Sequence, residues 1–227
     1  MNDPVKPRRA YRSTRRAEQT AQTGRDILAA AGALFRQRGY AGTSMPAIAT
    51  DAGVAIETIY RAFGSKAGLF KAVVEAAVAG GAVRADVPVE ERPAIRALIE
   101  ETDPRRQIEL YVATQPGIHR RSGPLLRALL GASVSDPEMR RLWDEFESAR
   151  HAGQGRFAGL LAERGALRPG LTVEEGTDIL WTLCSLAVHD SLVVSRSWTA
   201  ERYAAWLTAA LIRELLSPGT QKPIQAI

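Results

Sequence analysis

One cysteine, Cys184, and three scattered histidines, His119, His151 and His189, are all the sequence offers of the residue types that make disulfides and zinc sites. An internal disulfide is excluded, and no spaced Cys/His set for a structural metal exists. No run of eighteen apolar residues is present to span a bilayer. The Arg-rich opening residues also lack the apolar stretch of a secretory signal, so the cytoplasm is the expected address. HExxH, GxSxG, a glycine-rich phosphate loop and paired Glu-x-x-His arrays are missing as well. No catalytic residue, metal or cofactor is assigned, and an enzyme is not expected.

What is there is a chain of 227 residues, 45% apolar, long enough to bury a real core. Its charge is unevenly placed. Residues 1–66 hold eleven Lys/Arg against five Asp/Glu, whereas the remainder is close to neutral. Such asymmetry suggests that the N-terminal end meets a polyanion.

Residues 1–20 carry six basic side chains, two prolines and almost no aliphatics, which predicts a disordered basic arm. From about Thr23 the apolar positions Ile27, Leu28, Ala31, Leu34 and Phe35 fall at helical spacing, with Gly39 placed to end the helix. Thr43 or Ser44 is a candidate N-cap for a two-turn helix containing Pro46, Ile48 and Ala49. A third helix follows Gly53-Val54 and stops near Gly64-Ser65, and a fourth runs from Lys66 to about Ala82. Residues 83–103 read as a connection. Beyond them helices are expected at roughly 104–115, 120–132, 136–164, 172–195 and 199–216. No strand-like alternation of useful length appears, so the fold class is all-α, with about nine to ten helices.

Two short helices joined by a tight turn at Ala52-Gly53-Val54, with a longer helix behind, describe a helix-turn-helix. Packing Ile59 and Phe63 onto Phe35 and Ile48 turns Ile56, Glu57, Tyr60 and Arg61 outward, toward a major groove. Arg61 has the geometry to donate two hydrogen bonds to a guanine, and Glu57 can accept only from a cytosine amino group. Tyr60 suits a phosphate or a thymine methyl, and Ile56 a methyl. Thr43, Ser44, Thr58 and Tyr60 are candidate hydroxyl donors to phosphate, with Lys66 at the start of the fourth helix beside its free backbone N–H groups.

The string GYAGTSMPAIATDAGVAIETIYRAFGSKAGLF, residues 39–70, closely resembles the DNA-binding signature of the tetracycline-repressor (TetR) family. Gly39-Tyr40, Thr43-Ser44, Ile48-Ala49, Ala52-Gly53-Val54, Thr58-Ile59-Tyr60, Phe63 and Lys66 match in order and without gaps. The resemblance implies a homodimeric transcription factor whose third helix reads a near-palindromic operator, and whose larger C-terminal helical domain binds a small effector and dimerises. On that basis residues 1–20 are the arm, 21–68 the DNA-binding domain and 69–227 the effector and dimerisation domain. Two positions depart from the pattern: Ala55 stands where a serine often opens the recognition helix, and Ala62 where a histidine or asparagine often precedes the aromatic. Arg12, Arg15 and Arg16, with Arg8 and Arg9, are expected to compensate along the phosphates or in a minor groove.

In the C-terminal part a stripe of Met139, Leu142, Trp143, Phe146, Phe157, Leu160 and Leu161 suits a core, but Gly153 and Gly155 leave room for a ligand. Tyr111, Trp143, Phe146, Arg150 and His189 are the candidate lining, His119 is expected to be solvated, and Cys184 is a small core residue. The last two helices are apolar on more than one side, as a partner-sharing pair would be, and in the resembling family that pair forms a four-helix dimer interface. The leading function is a ligand-responsive DNA-binding regulator, a repressor released from its operator by a small molecule. The alternatives are a sequence-independent nucleic-acid-coating protein and an all-helical enzyme.

Overall fold

The computed structural model describes residues 8–217, with side chains from residue 18 onward. Eleven α-helices are present among them: α1 (Arg8–Arg38), α2 (Met45–Ala52), α3 (Ile56–Phe63), α4 (Lys66–Ala79), α5 (Ala82–Ala85), α6 (Pro93–Glu100), α7 (Pro104–Ser133), α8 (Pro137–Glu163), α9 (Val173–Leu183), α10 (Leu186–His189) and α11 (Ala200–Leu215). A 3-10 turn at Val89–Glu91 precedes α6, and a π-helical segment, Asp190–Val194, follows α10. The only β-type pairing among the described residues is the isolated bridge Leu167–Leu216. Among the described residues no single helix is long and apolar enough to cross a membrane; α9 reaches that composition only together with the bent Leu186–Val194 segment.

Two apolar cores organise the chain. The first joins Ile27, Phe35, Ile48, Ile59, Phe70 and Val73 to Leu125, Leu129, Met139 and Leu142, so the three N-terminal helices and α4 share a core with the end of α7 and the start of α8. The second holds Ile108, Phe157, Leu161, Leu180, Cys184, Tyr203, Leu207 and Leu211. Truncating a fully buried member such as Ile59 to alanine costs about 2–5 kcal/mol. Cavity-forming damage to the first core is therefore felt by both halves of the molecule.

Several expectations are corrected. Helix α1 begins at Arg8 rather than near Thr23, so residues 8–20 are helical where composition predicts a disordered arm. Arg, Ala, Gln and Glu are good helix formers, and extending an existing helix needs no new nucleus. Residues 1–7 of that arm lie outside the described residues. The stretch 83–103 is not a plain connection but carries α5, the 3-10 turn and α6, whose Leu98 is buried. The expected break between helices at 104–115 and 120–132 does not form, and one helix of 30 residues runs through both Pro116 and Pro124.

An interior proline costs about 3 kcal/mol, because it removes a donor and crowds the carbonyl four residues back. Here Val112, Gln115, His119, Ser122, Leu125, Leu126 and Leu129 are buried along α7, and that packing outweighs the local penalty. In the opposite sense, the single helix expected over 172–195 is broken. Helix α9 ends at Leu183, and Ser185 caps α10 by accepting from the Val188 N–H. A serine in an extended conformation at an N-cap favours that restart.

Candidate nucleic-acid interface and effector cavity

Helices α2 and α3 are set by their ends. The Ser44 hydroxyl accepts from the Ala47 N–H at the start of α2, and Gly53 closes the helix with φ 64° and ψ 33°, a left-handed conformation that glycine adopts without a Cβ penalty. Helix α3 has Ala55 at its N-cap position and so no side-chain cap, as the alanine there requires. Ile59 is fully buried, while Glu57, Tyr60 and Arg61 are exposed together on the opposite face, Tyr60 at 48%. Ile56 does not join them cleanly: it is half-buried and packs against the first core. Thr58 is half-buried too.

The hydroxyl candidates separate. Ser44 is exposed, although engaged as a cap. Thr43 is 1% exposed, and its hydroxyl is committed to the carbonyl oxygens of Gly39 at 2.8 Å and Leu34 at 3.2 Å. It ties the α1–α2 loop together and is not available to a phosphate. Lys66 opens α4, where Ser65 caps by accepting from the Gly68 N–H. The Lys66 ammonium lies 4.3 Å from the centroid of the Tyr40 ring. Partial burial lowers the Lys66 pKa. Burial, with Glu138 and Asp136 nearby, pushes Tyr40 up to about 12. Arg12, Arg15 and Arg16 fall in the first turns of α1, where only the backbone is described.

The larger domain encloses a cavity of about 970 Å³, bounded by α4, α6, α7 and α8 and reaching Cys184 and Leu186. Tyr111, Trp143, Phe146 and Arg150 line it, as does Gly153. Gly155 instead faces α9, where an added Cβ would lie 3.6 Å from the Thr177 hydroxyl. His189 is not part of the wall. It stacks behind His119, ring centroids 4.4 Å apart, and its Nδ1 is 3.1 Å from Asp190 Oδ1. Asp190 in turn accepts from Arg127 at 2.9 and 3.0 Å.

His119, expected to be solvated, is 6% exposed and lines the cavity from the middle of α7. Burial, with His189 and Arg150 adding to it against Asp190, lowers its pKa to about 3. The sequence contained the signal: Tyr111, Gln115, His119, Ser122, Leu126 and Leu129 recur at helical spacing. Splitting the helix at Pro116-Gly117 hid it. Beside them Tyr111 contacts the Gln154 amide and the Cys184 thiol, and burial pushes that thiol up to about 12. A thiol so held is protonated packing rather than a nucleophile.

Helix α4 belongs to both sites. Its first residue is Lys66, whereas Lys71, Val74 and Val78 line the cavity. Its last turn is held from α7 by Arg121, which donates to the carbonyls of Ala77 at 2.9 Å and Val78 at 3.5 Å. The Lys71–Glu145 ion pair, 2.9 Å and exposed, joins α4 to α8 and contributes at most about 1 kcal/mol.

Residues 27–73 match the family model of bacterial regulatory proteins of the tetR family. Among solved structures, NalD, the secondary repressor of the MexAB-OprM multidrug efflux pump in Pseudomonas aeruginosa, is 23% identical over 87% of this chain and 98% of its own, with a TM-score of 0.64. FadR from Bacillus subtilis, a transcriptional regulator in complex with stearoyl-CoA, is 18% identical over 82% and 94%, with a TM-score of 0.62. A protein from Saccharomonospora viridis solved in complex with choline is 19% identical over 86% and 98%, with a TM-score of 0.63. At these identities the likeness is one of fold. No curated protein matches the chain.

Proposed function

We propose, on the premise that residues 27–73 form a tetR-family DNA-binding segment, that the protein is a ligand-responsive transcriptional regulator, a cytoplasmic repressor released from its operator by a small molecule. The observation that carries the reading is the sharing of α4. The helix that begins beside the exposed face of α3 also forms a wall of the large cavity. Arg61 reads a guanine edge, Glu57 favours a cytosine amino group, and Tyr60, Ser44, Thr58 and Lys66 set the register on phosphates.

The functional unit is a homodimer through α9 and α11. Supporting this, Trp181 and Val194 are exposed at 37% and 60%, and Ala205 and Ala209 are exposed along α11. A C2 dimer places two recognition helices about one DNA turn apart. A ligand that binds one arrangement of α4 and α7 better than the other lowers operator affinity by that difference.

Titrating the purified protein into its own upstream intergenic DNA and into shuffled DNA of equal length tests the reading. Preference for the intergenic fragment by roughly a thousandfold supports a sequence-reading regulator. Equal binding to both fragments favours a coating protein instead. Light scattering that reports a monomer at micromolar concentration would count against the dimer.

A further inference from the structure

We propose that the cavity takes an uncharged amphiphile, an apolar body with a hydroxyl- or amide-type head that hydrogen-bonds to His119. The inference rests on the effector reading above and names the ligand class. Both ring nitrogens of His119 are buried without a hydrogen-bond partner, and so is the Gln154 side-chain oxygen, whose own amide nitrogen donates to the Leu180 carbonyl at 3.3 Å. Both residues line the cavity and are about 95% buried. A neutral imidazole presents one donor and one acceptor, and leaving such groups unmatched in a dry site is costly.

The ring is held in place for this role. Its face stacks on His189, and Tyr203 meets it edge-on with centroids 6.3 Å apart. The remaining wall is largely apolar, with Val74, Leu126, Leu129, Trp143, Phe146 and Phe157 accounting for much of it. The volume is at the upper end of the range for small-molecule pockets.

Charge on the ligand head finds no support beside His119. Arg150 is the charged side chain that bears on His119 from within the wall, and it is committed to Glu147 at 2.7 Å and to the Trp181 carbonyl at 2.9 Å. Lys71 and Glu145 pair with each other in the exposed part of the wall, where Glu75, Glu90, Arg156 and Glu163 are also solvent-exposed, and Arg92 donates to the Val87 carbonyl. A quaternary ammonium or a carboxylate driven to the buried side loses its hydration and meets no free counter-charge.

Calorimetric titration of the full-length protein at neutral pH with decanol, decanoate and decyltrimethylammonium, which share one chain and differ in the head, tests this. Decanol should bind at least about tenfold more tightly than either charged probe. H119F keeps a stacking ring but no nitrogens, and should weaken decanol about tenfold while narrowing the difference among the three. H119Q restores a donor and an acceptor and should recover part of the loss. Equal or tighter binding of a charged probe, an unchanged decanol affinity in H119F, or no binding by any probe overturns the proposal. The operator titration above is run on the same preparation. Specific DNA binding without decanol binding defeats only the ligand class, whereas loss of DNA specificity defeats the regulator and leaves the calorimetry to judge the cavity.

Discussion

The imidazoles of His119 and His189 stack 4.4 Å apart between the cavity and the π-helical segment, and Asp190 bonds to His189, not to His119. Burial, with the neighbouring His189 and Arg150, outweighs the attraction of Asp190, and the His119 pKa falls to about 3. Folding depresses the pKa of this base below its unfolded value near 6.5, so between about 3 and 6.5 the unfolded state binds more protons. Stability is intact above that window and falls as pH drops through it, by up to about 1 kcal/mol per pH unit from this group. Urea midpoints at stepwise pH should decline less steeply in H119F than in the parent. Parallel slopes would show that His119 is not the titrating group, since the carboxylates are common to both proteins.

Arg61 is exposed at the last turn of α3, next to exposed Tyr60, with Ile59 buried behind them. A bidentate contact with guanine is worth about 1–3 kcal/mol of discrimination. R61M should weaken operator binding roughly tenfold to a hundredfold and leave affinity for shuffled DNA within a few-fold. Competition titrations with the two DNAs decide it, and an equal loss on both would reassign Arg61 to a phosphate.

The basic N-terminal residues make a different prediction, because phosphate contacts are read in the salt dependence. If three of Arg8, Arg9, Arg12, Arg15 and Arg16 meet phosphates, deleting residues 1–16 should flatten the slope of log affinity against log salt by about 2.7. An unchanged slope sinks the role of the arm. The helical start of α1 at Arg8 makes the idea more specific, since arginines on a helix engage a backbone in a fixed register.

The helix-turn-helix was legible in the sequence because each boundary rests on local chemistry. Gly39, Gly53 and Gly64 all adopt positive φ at the ends of helices, and Ser44 caps α2. Ile59 shows its burial by spacing alone. What escaped depends on tertiary packing. Pro116 and Pro124 argue locally for breaks, yet the burial of α7 on several helices keeps it whole, and with the break went the stripe that sets His119 in the cavity wall. Thr43 stands as a phosphate donor by residue type, but the fold of its own loop turns the hydroxyl inward to Leu34 and Gly39. His189 lies one layer behind the cavity wall rather than in it, because helix periodicity gives a direction and not a depth.

Arg121 sits on α7 within one turn of His119 and Ser122, which line the cavity, and its guanidinium holds the last carbonyls of α4. Partial burial lowers the Arg121 pKa, and Arg120 and Arg84 lower it further, but a guanidinium stays charged at any physiological pH. In the proposed regulator, a ligand that moved α7 would pull on the end of α4 through charge-assisted bonds, and α4 begins at Lys66, just after α3. R121M keeps much of the aliphatic stem and removes the donors. It should lower stability by about 1–2 kcal/mol and leave ligand-free operator affinity within about threefold. Ligand-driven release should fall by most of a coupling that is typically about 1–3 kcal/mol. Operator titrations with and without saturating ligand measure all of this in parent and variant. Undiminished release in R121M would mean that the signal travels by the packed faces of Val73 and Val74 rather than by the helix end.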